Sequence, residues 1–155
     1  LVLAEAATRV SEQFKEQPLV EAEIRSVIGS TYQALGMYDE AEPHAVAAMA
    51  ISRRVLGDEH PDTLVSINAM GNLLYSQGKY DEAMPYYVEA LEGKRRVLGD
   101  EHPDTQATIN NLVDLHEDWH EVEPDASHDA KADEYRQLLE AIEAKKAETT
   151  EPAVP

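Results

Sequence analysis

Apolar residues recur at intervals of three and four positions along most of the chain, which places them on one face of an α-helix. Two stripes are clearest, and each ends close to a glycine. Their members are Leu64, Ile67, Met70, Gly71 and Leu74, and then Ala83, Tyr87, Ala90, Leu91, Val97 and Leu98. Because no segment sustains an alternation of polar and apolar residues, the pattern predicts an all-α protein without a sheet.

Prolines and glycines indicate where these helices begin and end. Pro61 and Pro103 suit the first turn of a helix, where a missing backbone N–H costs nothing. Gly78 and Gly99 follow apolar stripes and suit a left-handed helix end. Together with the stripes they predict seven helices. The predicted spans are about residues 2–16, 19–35, 38–56, 61–77, 80–98, 103–120 and 128–147.

The chain also contains an internal repeat. The stretch from Arg53 to Thr63 recurs without change from Arg95 to Thr105, at an offset of 42 residues, and residues 38–41 match 80–83 at the same offset. A repeat of this length indicates stacked helix pairs. The predicted organisation is a leading helix at 1–18, helix pairs at about 19–57, 58–99 and 100–147, and a frayed tail at 148–155. The third pair departs from the pattern, since residues 121–127 predict a longer loop.

Charge and composition exclude several functions. The chain has 13 Lys and Arg against 31 Asp and Glu, a net charge of −18. This excess of acid argues against binding to nucleic acid or to anionic lipid. No apolar run approaches the roughly 20 residues of a membrane helix, the N-terminal residues lack a signal-peptide pattern, and there is no cysteine. We therefore expect a cytoplasmic protein, and the missing initial Met suggests a fragment of a longer chain.

The repeated unit resembles the tetratricopeptide repeat family, in the 42-residue form typified by kinesin light chain and by many bacterial proteins. The resemblance rests on residues 78–83 (Gly-Lys-Tyr-Asp-Glu-Ala), on Ala90 and Leu91, and on residues 95–99 followed by 102–105. It implies a right-handed α-solenoid of three tetratricopeptide helix pairs plus a leading helix. It also implies that the first helices of the pairs line a concave groove, which binds peptides or proteins without catalysis or cofactor.

The same resemblance implies which residues face the groove. The candidates are Ser26, Ser30, Gln33, Val65, Asn68, Asn72, Tyr75, Asn110, Asp114 and Glu117, with Glu23, Ala34, Ser76, Ala107 and Asp118 in the same repeat phase. Asn side chains both donate and accept hydrogen bonds, which suits the backbone of an extended peptide. None of these positions is Lys or Arg, so a clamp for acidic peptides is disfavoured and a neutral or basic ligand is expected.

One motif suggests an enzyme instead. Residues 116–120, His-Glu-Asp-Trp-His, match the zinc-protease pattern in which two histidines one helical turn apart hold the metal and Glu117 acts as general base. Glu140 is a candidate third ligand. The repeat offset places His116 where Leu74 lies, a packing position, so the sequence favours a structural role. Adventitious metal binding by His116 or His120, with Asp125 or His128, is the weaker form of this hypothesis.

Two further alternatives remain open from the sequence. One is self-association through an exposed end face of the solenoid, and the other is a structural spacer within a larger signalling protein. The paired arginines at 53–54 and 95–96 and the repeated residues His60 and His102 are expected to serve structure, through ion pairs with Asp58 or Asp100 and through packing of the turn between units.

Overall fold

The computed structural model describes residues 2–150, and the side chains of all of these except residues 2–4, 6, 7 and 150. This part of the chain consists of helices joined by short turns, as the all-α prediction requires. The helices are α1 (Val2–Gln13), α2 (Pro18–Ala34), α3 (Tyr38–Leu56), α4 (Pro61–Ser76), α5 (Tyr80–Val97), α6 (Pro103–Val122) and α7 (Ala126–Thr150). None of the helices in residues 2–150 is long and apolar enough to cross a bilayer.

The helices stack in chain order and form a curved array. Each helix packs against the next, and in addition α2 contacts α4 and α4 contacts α6. The second helices of successive pairs, α3, α5 and α7, make no comparable contact among the described residues. Because the first helices lie closer together than the second helices, the concave side is built by α2, α4 and α6. The predicted all-α solenoid is confirmed, whereas the division into units and a tail stays a prediction.

The turns between helices repeat with the sequence. Gly36, Gly57, Gly78 and Gly99 all have positive φ, between 72° and 89°, a conformation that costs glycine little. The ring Nδ1 of His60 accepts a hydrogen bond of 3.1 Å from the backbone N–H of Asp62, and His102 caps α6 in the same way. These two histidines therefore hold helix N-termini, as expected for a structural role.

Ion pairs connect the ends of the second helices to the turns that follow. The guanidinium group of Arg53 lies 2.8 Å from Asp58 and also binds Glu89, while Arg95 lies 2.7 Å from Asp100. The predicted pairing of these arginines with the turn aspartates is confirmed. These contacts are partly exposed, so each contributes little to stability on its own.

A continuous apolar core runs through the stack. Fully buried side chains come from both helices of the second pair and from α6, and include Leu64, Ile67, Leu73, Tyr87, Ile109, Leu112 and Leu115. One prediction is wrong here: Val97 was placed on the buried face of α5 but is 42% exposed. Val97 is the last residue of α5 and lies beyond Lys94, the last buried residue of that helix, so its exposure follows from its place at the helix end.

The third pair is more helical than predicted. A longer loop was expected at 121–127, but α6 continues to Val122 and α7 begins at Ala126, which leaves three residues between them. Pro124 prevents α6 from continuing. Asp125 then caps α7 by accepting a 2.8 Å hydrogen bond from the N–H of Ser127. Of the tail predicted at 148–155, residues 148–150 are helical, and residues 151–155 lie outside the described residues.

Candidate functional site: the concave groove

The predicted groove residues lie on the three helices that form the concave side. Four of them are exposed, namely Ser30, Val65, Asn110 and Asp114. The other six, Ser26, Gln33, Asn68, Asn72, Tyr75 and Glu117, are partly buried, and most of these hydrogen-bond within the protein. Their assignment to a binding site stays a prediction, but the structure shows which of them are available to a ligand.

Asn68 lies in a hydrogen-bonded network between α4, α5 and α6. Its side-chain oxygen lies 3.1 Å from the hydroxyl of Thr108 and 3.4 Å from the amide nitrogen of Asn111, both of which can donate to it. The buried amine of Lys94 donates to Thr108 over 2.9 Å and so extends the network into α5. Burial lowers the pKa of Lys94, and the neighbouring carboxylate of Asp104 opposes that shift.

Asn72 joins the same network one helical turn further along α4. Its side-chain oxygen accepts hydrogen bonds from the hydroxyl of Tyr87, at 2.8 Å, and from the amide of Asn111, at 3.3 Å. The ring of Tyr87 lies against Gly71, where a Cβ atom would come within 2.8 Å of it. Asn68 and Asn72 therefore hold the second and third pairs together, and only part of their hydrogen-bonding capacity remains for a ligand.

The first helices are also linked across the groove by a contact that repeats. The amide nitrogen of Gln33 donates to the hydroxyl of Ser76, at 2.9 Å, and to the backbone carbonyl of Asn72, at 3.2 Å. One unit later, the hydroxyl of Tyr75 donates to Asp118, at the positions equivalent to Gln33 and Ser76. Burial and the carboxylates of Asp118 and Asp114 raise the pKa of Tyr75. The residue at position 33 or 75 of one unit thus joins its first helix to the C-terminal part of the first helix in the next unit.

The C-terminal half of the groove contains a cleft of about 330 Å³, within the range of small ligand sites. It is lined by Gln33, Asn72, Tyr75, Ser76, Tyr87, Asn111 and Asp114. The exposed carboxylate of Asp114 gives this cleft a negative charge. Glu117, by contrast, forms an ion pair with Arg136 of α7, so it does not contribute to the charge on which a groove ligand would act.

Three residues of the groove were not anticipated from the sequence. Thr108, Asn111 and Tyr87 sit between the helices and join the predicted positions to one another. The repeat phase points to Asn110, which is exposed, and not to its half-buried neighbour Asn111. A signal was available, because the offset shows that Asn111 replaces Ala69 at a place where the helices come together.

The zinc-protease motif does not assemble as a metal site. His116 is only 4% exposed, as its equivalence to Leu74 predicts, and its Nδ1 lies 3.3 Å from that of His128. His120 instead accepts from the backbone N–H of Asp125, at 3.2 Å, while Glu117 pairs with Arg136. No group of three His, Cys, Asp or Glu residues in the described part of the chain is placed to hold a metal ion.

The histidines instead predict a dependence of stability on pH. Burial, helped by the nearby His128 and Lys131, lowers the pKa of His116 against the opposing charge of Glu134, and burial lowers that of His44. The unfolded chain then binds more protons near the ordinary histidine pKa of about 6.5, so stability is complete above this pH and is lost as the pH falls below it. Urea unfolding between pH 7.5 and 5 measures this loss.

The variant His116→Leu, which restores the residue found at position 74, tests the assignment. It is expected to weaken the fall in stability on acidification, with His44 responsible for part of what remains. Equal slopes of unfolding free energy against pH for the wild-type protein and this variant would contradict it.

Comparisons with known proteins agree with this architecture. The family model of the tetratricopeptide repeat matches residues 20–96 and 68–123. Among curated protein sequences, none matches the chain. The solved structure of BtubC (BKLC) from P. vanneervenii is similar at 24% identity and a TM-score of 0.73, over 92% of this chain and 54% of that one. The present chain thus spans about half the length of that relative.

Two further similar structures come from Podosopora anserina. One is a kinesin light chain candidate with nearly identical TPR-like repeats, and the other is its Q17M form. The first is 22% identical with a TM-score of 0.67, over 97% of this chain and 70% of that one. The second is 21% identical with a TM-score of 0.65, over 95% and 68%. At these identities the likeness concerns the fold. Since the family model covers more than half of the sequence, the chain belongs to the tetratricopeptide repeat family.

Proposed function

We propose that the chain is a non-catalytic interaction module that binds an extended segment of a protein, neutral or basic in charge, in its concave groove. Tetratricopeptide repeats generally mediate protein–protein interaction. The observation that supports the groove as the site is the side-by-side placement of α2, α4 and α6, which brings polar positions of one repeat phase onto one concave surface.

The charge of the concave surface favours a neutral or basic ligand. Asp114 is exposed in the cleft and Glu23 is exposed near the start of α2, while no groove position carries a Lys or Arg. Opposite charges across an interface speed association and exclude wrongly charged partners. The exposed amide of Asn110 and the hydroxyl of Ser30 can then hydrogen-bond to the peptide backbone.

Three synthetic peptides of equal length test this function. Each has the same Gly, Ser and Asn backbone, with two lysines, no charge or two glutamates at the same positions. Fluorescence anisotropy is expected to rank the lysine peptide first and the glutamate peptide last, with the lysine peptide losing affinity as salt rises. The strongest binding by the glutamate peptide would overturn the proposed charge preference.

Asp114→Asn is expected to lower the affinity for the lysine peptide several-fold. Glu143→Gln, on an exposed part of α7, is the control and leaves that affinity unchanged. Asn110→Ala is the second groove variant. Asn68 is less suitable, because its replacement also breaks hydrogen bonds to α6.

Sedimentation at several concentrations separates peptide binding from self-association. Binding of none of the three peptides would contradict the function itself.

A further inference from the structure

A cavity of about 330 Å³ opens on the concave side between α2 and α4. It lies one unit before the hydrogen-bonded network that joins α4, α5 and α6. The side chains that line it are mostly small, and those that matter here are Ser26, Ser30, Ala45, Ser66 and Ala69. Such a cavity is large enough to accept part of a ligand.

The 42-residue offset explains why the cavity exists. Each of the five lining residues is replaced by a larger one at the equivalent position of the next unit, namely Asn68, Asn72, Tyr87, Thr108 and Asn111. Those larger residues form the network described above, in which the ring of Tyr87 is 2% exposed. The cavity therefore occupies the volume that a phenol ring and three amides fill one unit later.

The backbone surface against which that ring packs is also retained. In the second pair the ring of Tyr87 lies against Gly71, which has no Cβ to exclude it. The equivalent residue in the first pair is again a glycine, Gly29, although position 45 carries no ring. The nearest atoms to a Cβ built on Gly29 belong to α3 and lie 3.4 Å away, so the glycine face remains next to the cavity.

We propose that this cavity accepts the side chain of a tyrosine from a peptide that also carries basic residues. This specificity rests on the groove binding proposed above. Tyr87 shows that a phenol ring fits this arrangement of two first helices and one second helix. Ser30 stands where Asn72 accepts the Tyr87 hydroxyl, and its own hydroxyl donates to the carbonyl of Val27. The oxygen of Ser30 can therefore accept a hydrogen bond from the incoming phenol.

The charge at the mouth of the cavity selects the rest of the peptide. Glu23 lines the cavity and its carboxylate is exposed. Further along the groove, Asp114 adds a second exposed carboxylate. A peptide with its tyrosine in the cavity and lysines on either side would place positive charge along this acidic surface, and charge complementarity of this kind raises the rate of association and the selectivity for partners.

Three nonapeptides test the proposal on the whole chain. Each has a lysine at both ends and Gly and Ser between, with tyrosine, phenylalanine or alanine at the centre. Fluorescence anisotropy is expected to show the tyrosine peptide binding at least about tenfold more tightly than the alanine peptide, because an aromatic side chain leaves water. The phenylalanine peptide is expected in between, since it fills the cavity but donates no hydrogen bond.

Ala45→Tyr supplies the ring that the equivalent position of the next unit carries, and is expected to remove the preference for the tyrosine peptide. Val46→Tyr is the matched control: Val46 is the neighbouring residue on α3, is 43% exposed, and does not line the cavity, so its replacement leaves the preference unchanged. Ala69→Asn fills the cavity with the amide that the equivalent residue of the next unit, Asn111, carries. It replaces Ala45→Tyr in the test if circular dichroism shows that Ala45→Tyr does not fold.

The outcomes separate the tyrosine cavity from groove binding in general. Equal affinity of the wild-type protein for the tyrosine and alanine peptides overturns the cavity proposal and leaves groove binding in place. A tyrosine preference that persists in the folded cavity-filling variants also overturns it, because the ring would then bind elsewhere. Failure of all three peptides to bind overturns both proposals together.

Discussion

Replacing Tyr87 by alanine is expected to lower the free energy of unfolding by about 3–5 kcal/mol, the range for removing a large buried aromatic side chain. The ring is 2% exposed, lies against Gly71 and connects α5 to the concave face of α4. Its removal would open a cavity in the second pair like the one beside Ala45. In the second pair, however, the neighbouring side chains are packed against the ring that is removed. Urea unfolding, followed by helical circular dichroism, measures the loss.

Tyr87→Phe is the control that separates packing from hydrogen bonding. It keeps the ring and removes only the donor to Asn72, so the expected loss is about 1 kcal/mol. A Tyr87→Ala variant that loses no more than the Phe variant would contradict the packing role. Because the hydroxyl bonds to Asn72, the Phe variant also leaves the oxygen of that residue with Asn111 as its remaining side-chain donor.

Replacing Gly93 by alanine is expected to destabilise the protein by about 1–3 kcal/mol, although the same change at an open helical site stabilises by about 0.5–1 kcal/mol. The added Cβ would lie 2.3 Å from Cδ2 of Leu64, at the crossing of α4 and α5. Leu64 is fully buried, so its side chain has little space into which to move. The sign of the change in unfolding free energy is therefore the decisive measurement.

A double-mutant cycle with Leu64→Ala identifies the cause of that loss. Leu64→Ala alone is expected to cost about 2–5 kcal/mol, since it leaves a cavity. In the double variant the new Cβ enters that cavity, and the combined loss should be smaller than the sum of the two single losses. Additive losses would show that Gly93→Ala acts by some means other than the contact with Leu64.

The helix boundaries of the first two pairs were predictable because their ends depend on local chemistry. Proline at the first helical position and glycine with positive φ just after the last turn act within a few residues, so predicted and observed ends differ by one residue at most from α2 to α5. The turn between the two helices of the third pair lacks this punctuation. The end of α6 and the start of α7 depend on Pro124 and Asp125 together with the packing between these two helices. The 42-residue offset does not predict either boundary.

The groove was predictable by position but not by side-chain partner. The repeat phase placed ten residues on or near the concave helices, yet it could not show that Asn68 and Asn72 already bond to α5 and α6. Nor could it show that Glu117 turns to Arg136. Such partners depend on the distance between neighbouring helices and on rotamers, which a sequence pattern does not contain. Predicting the cavity beside Ala45 requires both the repeat offset and the knowledge of which five positions lie together in the structure.

The identical stretches at 53–63 and 95–105 carry all the chemistry of the turn between units: the arginine that binds the turn aspartate, the positive-φ glycine, and the histidine that caps the next helix. A genetic crossover between the two stretches would add or delete 42 residues and rebuild the same turn at the new boundary. Recombination of this kind would change the number of units while keeping the turn between them unchanged.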